Sequence, residues 1–448
     1  MDGNTNADVR PLAVELNRII ERENQHIAAM LSDLGRRLYF PKGILAQSAE
    51  AKQKATRYDA TIGIAWENRK PMFLPAVMQY FNGLSAAEAV TYAPATGQPQ
   101  LRRLWREKLL RNNPALEGKS FSTPIVTSGV THALSLTADL FVQRGDLVLL
   151  PDKFWENYEL LFGVRYQARL VAFPLFRPGG GFNVAGLRQS LESHAEAGKI
   201  ILILNFPNNP TGYSLTVDEA EETAVVIQQA AEKGRNLLVI SDDAYFGLFY
   251  HPAAFQQSLF ARLAGTHERL LAVKVDGPTK EEFVWGFRTG MLTFGAKASS
   301  SDKALYDALE MKVSGAIRSA ISNCSQPAQS VLAKALADQQ IDQQRADKKR
   351  ILQQRAEKVW EVLRRPEFAD LWEPYPFNAG YFMCLKLKGI DAEAFRKHLL
   401  DEHGVGVIAD GPHDIRVAFS AVDVENIEEL YSILATAARE LRAAAASG

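Results

Sequence analysis

Short apolar runs alternate with longer amphipathic stretches along the middle of the chain, from about residue 122 to residue 295. The apolar runs predict strands at Pro124–Thr127, Leu147–Leu150, Leu170–Phe173, Ile200–Leu204, Leu237–Ser241, Leu271–Val275 and Met291–Phe294. The stretches between several of them predict helices at Thr131–Val142, Trp155–Val164, Ala185–Ala195 and Thr216–Glu232. Apolar strands joined by crossover helices predict an α/β fold with a mostly parallel, seven-stranded sheet covered on both faces.

The segments on either side of this region follow other patterns. Asp8–Leu34 has helical apolar spacing and is polar enough to form an arm on another surface, and Asp59–Trp66 is a short strand-like run. Pro327–Arg364 predicts one long helix, in which the charge run Arg345–Arg350 is typical of a solvated face. Three further segments predict a small α+β unit: Gly380–Leu387, Asp391–Glu402 and Ile415–Phe419.

The length of 448 residues is too great for one compact core and favours more than one folding unit. We predict that residues 1–75 form an N-terminal arm and part of a small domain. Residues 76–325 form a large domain, and residues 326–448 complete the small one.

Composition and charge exclude several classes of function. A formal net charge of −1 provides no basic surplus for nucleic acid. The two cysteines, Cys324 and Cys384, form no CxxC motif, and the histidines show no metal-ligand spacing, so neither a disulfide framework nor a metal site is predicted. The first residues lack the apolar core of a signal peptide, and no apolar run has the length of a membrane span. We therefore expect a cytoplasmic protein with no membrane or nucleic-acid partner.

Polar groups follow the predicted strands at the edge where open parallel sheets bind ligands. The segment Ser128–Thr131 begins a helix. The free backbone N–H groups there can bind an anion, or the segment can be an ordinary helix cap. Trp155 follows the second strand and suits stacking on a planar ring or core packing. Asn209 lies in a rigid turn after Ile203 and Leu204. Further along, Asp242 and Tyr245 suit a pyridinium nitrogen and a phenolic oxygen.

The stretch Val275–Gly290 carries a lysine and, eight residues later, an arginine. The amine of Lys280 can form an imine with an aldehyde cofactor, and the guanidinium of Arg288 can bind its phosphate. Taken alone, a lysine followed by two glutamates is typical of a solvated surface side chain. Both interpretations stay open on this stretch alone.

Seven pieces in order resemble the class I/II aminotransferase family, which has the fold type I architecture of pyridoxal-phosphate-dependent transferases. They are Tyr92 in TYAPATG, SGVTHAL, the Trp155 loop, NNPTG, SDDAY, Lys280 with Arg288, and Arg416 in IRVAFS. The resemblance spans roughly residues 60 to 420. It implies pyridoxal 5'-phosphate as cofactor and a large domain with a mostly parallel seven-stranded sheet beside a small α+β domain.

The resemblance implies a role for each matching residue. The residues implied to bind the cofactor are Ser128, Gly129, Val130, Trp155, Asn209, Asp242, Tyr245, Lys280, Arg288 and, from a second subunit, Tyr92. Lys280 holds the cofactor covalently and moves the substrate's Cα proton, Asp242 keeps the ring nitrogen protonated, and these two with Tyr245 form the catalytic group. Arg416 binds the substrate's α-carboxylate. The chain departs from the family at Gly277, where a phosphate-binding hydroxyl is common.

Substrate class is also implied by resemblance. The loop Thr61–Ala65 resembles the substrate loop of the aspartate aminotransferase subgroup, which places Ile64 and Ala65 at the substrate. Arg318 stands where that subgroup carries an arginine for a distal carboxylate, donated across a homodimer, although it reads equally well as a surface arginine. Aspartate, glutamate or aromatic amino acids would then pass their amino group to a 2-oxo acid such as 2-oxoglutarate in ping-pong half-reactions.

Two other functions remain as alternatives. A pyridoxal-phosphate-dependent lyase or decarboxylase would share the fold and the cofactor and would release ammonia, pyruvate or CO2 without an oxo-acid acceptor. A ligand-sensing transcription factor would need an added DNA-binding segment, which the near-neutral charge and the single predicted N-terminal helix disfavour.

Overall fold

A computed structural model describes residues 10–40 and 43–447 of the chain. The strands are β1 Tyr58–Asp59, β2 Trp66–Glu67, β3 Lys70–Pro71, β4 Ile125–Thr127, β5 Leu147–Pro151, β6 Arg169–Phe173, β7 Lys199–Asn205, β8 Asn236–Asp242, β9 Leu270–Asp276, β10 Gly290–Gly295, β11 Trp372–Pro374, β12 Met383–Leu387, β13 Val405–Gly406, β14 Ile408–Ala409 and β15 Asp414–Val417. The helices are α1 Pro11–Glu23, α2 Gln25–Met30, α3 Asp33–Arg37, α4 Ile44–Lys54, α5 Pro75–Met78, α6 Ala86–Ala89, α7 Pro99–Asn112, α8 Val130–Phe141, α9 Val184–Ser193, α10 Val217–Glu232, α11 Leu259–Leu263, α12 Pro278–Glu281, α13 Asp302–Ala320, α14 Gln326–Leu336, α15 Ile341–Leu363, α16 Ala392–His403 and α17 Ile427–Ser447.

The central sheet has seven strands in the order β4-β10-β9-β8-β7-β5-β6. The five strands from β9 to β6 pair in parallel, and β10 runs antiparallel to both β9 and β4. The predicted α/β fold with a mostly parallel sheet is therefore confirmed. Asn205 and Asp242 are paired across the ends of β7 and β8, so the polar residues that end these strands share one edge.

Helices cover both faces of this sheet, which explains why its strands read as continuous apolar runs. On one face, buried residues of the sheet pack against α8 and α13. On the other face, the apolar core continues into a second, antiparallel sheet in the order β11-β12-β15-β14. The N-terminal strand β1 pairs with β13 beside α16, so an early segment packs with the C-terminal part of the chain. The exact domain boundaries stay a prediction.

Several predicted elements differ from the structure. The predicted helix Asp8–Leu34 is three helices, and its first two residues lie outside the described part of the chain. The side chain of Asn24 accepts hydrogen bonds from the backbone N–H groups of His26 and Ile27, which ends α1 and caps α2. Within Asp59–Trp66, only the two end residues lie in strands, and the residues between them form a loop.

The long helix predicted over Pro327–Arg364 is also interrupted, between α14 and α15. Asp338 lies in the break, where its carboxylate accepts hydrogen bonds from the backbone N–H of Gln340 and from Gln79 and Tyr80. These bonds offer the backbone an alternative to the helical ladder. The predicted helix Trp155–Val164 is largely a π-helix, Glu159–Arg165.

The charge run Arg345–Arg350 is not a uniformly solvated face. Arg345 is only 15% exposed and forms an ion pair with buried Glu282, and Lys348 pairs with Glu67. Arg350, by contrast, is 64% exposed. One side of α15 therefore faces the protein, and the prediction of a solvated face holds for the other side alone. No helix in residues 10–40 and 43–447 combines the length and apolar character that crossing a membrane requires.

Candidate active site

A cavity of about 330 Å³ lies at the carboxyl ends of β7, β8 and β9. Its lining residues are Ile44, Ser48, Thr61, Ile62, Gly63, Val130, Thr131, Trp155, Tyr158, Asn205, Asn209, Asp242, Ala244, Tyr245, Thr279, Lys280, Trp285, Arg288, Phe382 and Arg416. Two clefts elsewhere are larger, at about 700 and 530 Å³, but neither contains these strand-end groups. The position at the strand ends identifies the 330 Å³ cavity as the candidate site.

Lys280 reaches this cavity from α12, the short helix that follows β9. Its Nζ lies 4.7 Å from the centroid of the Tyr245 ring. Burial lowers the pKa of Lys280 from 10.5 to about 8; the charge of Asp242 opposes this shift and that of Arg288 adds to it. Lys280 is therefore a partly buried amine with an appreciable unprotonated fraction near neutral pH, the form that attacks a carbonyl group.

Asp242 ends β8 and is buried. Its Oδ2 accepts a hydrogen bond from the Tyr158 hydroxyl at 2.5 Å, and its Oδ1 accepts one from the Ala244 backbone N–H at 3.1 Å. Burial raises the pKa of Asp242, while these hydrogen bonds and the charge of Lys280 lower it. The two donors thus stabilise the carboxylate that burial penalises.

Sequence reasoning missed Tyr158 and Asn205 as site residues. Tyr158 follows Trp155 by three positions, about one helical turn, and that spacing is the signal that could have indicated a shared face. Asn205 is the last residue of β7; its side chain donates to the Asp242 carbonyl and accepts from the Asn209 backbone N–H. Asn205 therefore joins the turn after β7 to the end of β8.

Arg416 enters the same cavity from β15 of the second sheet. It is 2% exposed; its Nη1 donates to Asn209 Oδ1 at 3.0 Å and its Nη2 donates to the Thr61 carbonyl at 2.8 Å. The guanidinium carbon lies 4.2 Å from the centroid of the Phe382 ring, and burial lowers the pKa of Arg416. The Nε atom is buried with no hydrogen-bond partner among the described residues, so the group retains donor capacity.

Arg288 lies beside the start of α8. Its backbone adopts the left-handed conformation, with φ 49° and ψ 51°, a strained arrangement for a residue with a side chain. A Cβ atom on Gly129 would lie 2.6 Å from Arg288 Nη2, so the guanidinium passes directly over the glycine backbone. Val130 and Thr131 line the cavity, whereas Ser128 and Gly129 do not, and the Ser128 N–H is already bonded to His132 Nδ1.

The structure explains the glycine that departs from the family pattern. A Cβ atom on Gly277 would lie 2.9 Å from both Gly290 Cα and the Thr289 carbonyl oxygen, distances that real Cβ atoms essentially never show. A serine therefore cannot occupy this position without moving the backbone. Thr279 lines the cavity instead, and its hydroxyl lies 3.5 Å from the same carbonyl oxygen.

Besides Ser128 and Gly129, four predicted residues do not line the cavity of this chain. Tyr92 is 89% exposed, and Arg318 is an exposed residue at the end of α13 whose Nη1 donates to Ser322 Oγ at 2.5 Å. The predicted substrate loop reaches the cavity through Thr61, Ile62 and Gly63, before Ile64 and Ala65. Ala65 packs in the apolar core.

The side chains around the cavity fit pyridoxal 5'-phosphate by their chemistry. Lys280 suits the aldehyde, and the carboxylate of Asp242 suits a ring nitrogen. Arg288, above a glycine at a helix N-terminus, suits a phosphate group. The unbonded Nε of buried Arg416 leaves a donor for a further anionic group.

Comparisons with known proteins agree with this chemistry. A family model described as aminotransferase class I and II matches residues 67–434. A probable aspartate/prephenate aminotransferase of Aquifex aeolicus is 34% identical over 164 residues, which span 37% of this chain and 39% of that relative. Aromatic-amino-acid aminotransferase 2 of Thermococcus litoralis is 25% identical over 75% of this chain and 81% of its own length. The crystal structure of an aminotransferase from Anaerococcus prevotii aligns with a TM-score of 0.79 at 22% identity, covering 89% of this chain and 96% of that one.

Proposed function

The chain belongs to the class I and II aminotransferase family, and from this premise we propose that it is a pyridoxal-phosphate-dependent enzyme that moves the amino group of an L-amino acid to a 2-oxo acid. One observation carries the proposal: the amine of Lys280, the carboxylate of Asp242 and the guanidinium of Arg416 line a single cavity. The first two suit the cofactor, and the third suits the carboxylate of an amino or oxo acid.

We assign the cofactor contacts to the residues around the cavity. The cofactor, when bound, supplies an aldehyde for the amine and a cationic ring that withdraws electrons. Lys280 would hold its aldehyde carbon, Asp242 its ring nitrogen, and Trp155 one face of its ring. Asn209 and Tyr245 would bind the ring hydroxyl. The phosphate would lie between Arg288 and the Ser128–Val130 backbone.

Asp242 serves as the negative partner of the ring nitrogen. A buried carboxylate tends to take up a proton, which would remove this charge. The Tyr158 hydroxyl and the Ala244 N–H both donate to it, and each donation favours the charged form. Tyr158 therefore positions and stabilises Asp242.

Lys280 moves the proton at the substrate's Cα. Its pKa of about 8 leaves the amine able to accept a proton near neutral pH and to give it back in the reverse direction. The aromatic side chains of Tyr245, Trp285 and Phe382 line the same cavity, and with substrate bound they would limit access of water to the amine. A general base in a dry cavity transfers its proton to the substrate in preference to solvent.

Arg416 binds and orients the α-carboxylate. Its guanidinium is held by the Asn209 side chain and the Thr61 carbonyl, so little side-chain entropy is lost when substrate arrives. A planar, bidentate group fixes the carboxylate plane and with it the Cα–H direction. The stacked Phe382 ring restricts the guanidinium further.

Residues outside this cavity carry our proposal for the substrate class and the oligomeric state. We propose a homodimer in which Tyr92 and Arg318 of a second copy reach the cavity, Arg318 toward the distal carboxylate of aspartate or glutamate. We propose that the loop that carries Ile64 and Ala65 contacts the substrate. The relatives named above as aspartate/prephenate and aromatic-amino-acid aminotransferases support dicarboxylic and aromatic amino donors, with 2-oxoglutarate as acceptor in ping-pong half-reactions.

An absorbance experiment tests the proposal. The purified protein, saturated with cofactor and freed of excess, is mixed with single amino acids and no oxo acid. We expect aspartate, glutamate or an aromatic amino acid to bleach the visible band of the bound cofactor, and 2-oxoglutarate to restore it. Release of CO2, ammonia or pyruvate without an acceptor would favour a lyase or decarboxylase. Absence of a visible band at saturating cofactor would contradict the whole assignment, including Lys280.

A further inference from the structure

Two histidines and a glutamate that do not line the active-site cavity converge on one point. His398 lies within α16, His403 is the last residue of that helix, and Glu440 lies on α17. The Nε2 atoms of His398 and His403 lie 2.8 and 2.7 Å from the same carboxylate oxygen, Oε2 of Glu440. The donor atoms of the three side chains all lie within 4.8 Å of one another.

The two helices fix this arrangement. α16 and α17 pack together, and Leu399 of the first and Leu434 of the second are buried in the same apolar core. Gly404 ends α16 in the left-handed conformation, with φ 65°, and a Cβ atom there would lie 2.2 Å from Thr56 Oγ1. The last turn that carries His403 is thus held in one place. Glu440 is separated from both histidines by a long stretch of sequence, so the histidine spacing alone gave no sign of the group.

We propose that His398, His403 and Glu440 form a binding site for a divalent transition-metal ion of the Zn²⁺ class. Two imidazole nitrogens and a carboxylate oxygen are the ligands that such ions prefer. A metal bonded to each donor at about 2.0–2.2 Å in tetrahedral geometry holds the donors roughly 3.3–3.6 Å apart. Each histidine nitrogen would therefore move away from Glu440 Oε2 by about 0.5–0.9 Å, a shift within reach of side-chain rotation at partly exposed residues.

The surroundings favour ion entry and leave the carboxylate available. The side chains of His398, His403 and Glu440 are 26%, 18% and 45% exposed, so an ion and completing waters can reach them. The nearby cations Lys397 and Arg442 pair with Glu393 and Asp370 and do not compete for Glu440. A bound ion would join the end of α16 to α17 and would be independent of the amino-group transfer.

A titration tests this site in the full-length, tag-free protein with its cofactor bound and free cofactor removed. We expect calorimetry to find one Zn²⁺ per chain and Zn²⁺ to raise the Tm. The double variant H398Q/H403Q and the single variant E440Q should each lose affinity by at least about the 10–100-fold that loss of an outer ligand partner costs a metal site. The matched control is His26→Gln, an exposed histidine in α2, which should bind like the unmodified protein.

Zn²⁺ binding that survives in H398Q/H403Q, or its absence in the unmodified protein, would overturn the proposal. Paramagnetic resonance of the unmodified protein with one equivalent of Cu²⁺ gives a second test that needs no variant. Coupling to two nitrogen nuclei is expected, and coupling to none or to four would contradict the site. Neither measurement depends on catalytic activity, so the result is separate from the fate of the aminotransferase proposal.

Discussion

Tyr158 is the residue whose effect on the site can be measured most directly. Its hydroxyl donates to Asp242 across 2.5 Å inside the protein, and a hydrogen bond to a charged group contributes about 1.5–3 kcal/mol. Tyr158→Phe removes this donor, so the pKa of Asp242 rises. We expect the acidic limb of the kcat/KM profile to move to higher pH by about one to two pH units, since about 1.4 kcal/mol corresponds to one pH unit.

The matched control for this change is Tyr166→Phe. Tyr166 lies at the end of the π-helix and bonds to Asp139, away from the cavity. Removal of the Tyr166 hydroxyl should leave the pH profile of kcat/KM unchanged. An unchanged acidic limb in Tyr158→Phe would show that Tyr158 does not stabilise the charged form of Asp242.

Lys280 gives a pH dependence of its own. Burial lowers its pKa to about 8, so the unprotonated amine increases as the pH rises through 8 and is nearly complete one unit above. We expect the rate at which cofactor-free protein captures pyridoxal phosphate covalently to rise with pH and level off near pH 9, followed by stopped-flow absorbance. A rate that keeps rising to pH 10 or beyond would indicate an ordinary lysine with a pKa near 10.4.

A substitution at Gly277 tests whether the phosphate-binding hydroxyl that is common in the family can be introduced into this chain. A Cβ atom at this position would lie 2.9 Å from two backbone atoms of the Thr289–Gly290 peptide, so Gly277→Ser should destabilise the protein by about 1–3 kcal/mol and weaken cofactor binding. Gly286→Ser is the control, because a Cβ atom there meets nothing within 4 Å. Thermal unfolding and cofactor titration check both variants. Tighter cofactor binding in Gly277→Ser would contradict the steric argument.

At the scale of elements, the periodicity of the sequence predicted the strands of the central sheet. It did not predict helix breaks and caps, which depend on local polar contacts. All seven strands of the central sheet appear near the predicted positions, because their apolar runs are buried on both faces. The break at Asp338 and the cap at Asn24 depend on which backbone groups these side chains reach, and spacing does not specify that. Tyr158 was missed for a similar reason, since its partner Asp242 is 84 residues away.

Helix α15 carries a buried ion pair within the charge run that the sequence predicted to be a solvated face. Arg345 bonds to Glu282, which is fully buried and also contacts buried Lys108 next to the Lys280 segment. Lys108 also pairs with buried Glu281, so without Arg345 two buried carboxylates share one lysine and one negative charge is uncompensated. Arg345→Ala should therefore lower the free energy of unfolding by about 3–5 kcal/mol. Arg350→Ala on the same helix changes a residue that is 64% exposed and should cost no more than about 0.5 kcal/mol. If a denaturant titration shows that both variants lose the same free energy of unfolding, the buried ion pair contributes no more to stability than the exposed Arg350.

At the scale of the whole molecule, the proposed homodimer predicts that two inactive variants can restore activity to each other. Arg318 is exposed in this chain and does not line its cavity, whereas Lys280 does. If Arg318 acts on the partner's cavity, a mixed dimer of Lys280→Ala and Arg318→Ala chains has one complete site: Lys280 comes from one chain and Arg318 from the other. Mixing the two inactive variants under conditions of subunit exchange should therefore recover transamination of aspartate, measured as oxaloacetate formation.

The control for this recovery is a mixture of two variants that each change a residue lining its own chain's cavity. Lys280 and Asp242 line the cavity of one chain, so in a mixed dimer of Lys280→Ala and Asp242→Asn each cavity carries one of the two changes. That mixture should stay inactive. Recovery in the first mixture and not in the second would establish that Arg318 is shared between subunits. If neither mixture recovers although size measurements show that hybrids form, the exposed arginine belongs to the surface and the dicarboxylate specificity must come from residues of the same chain.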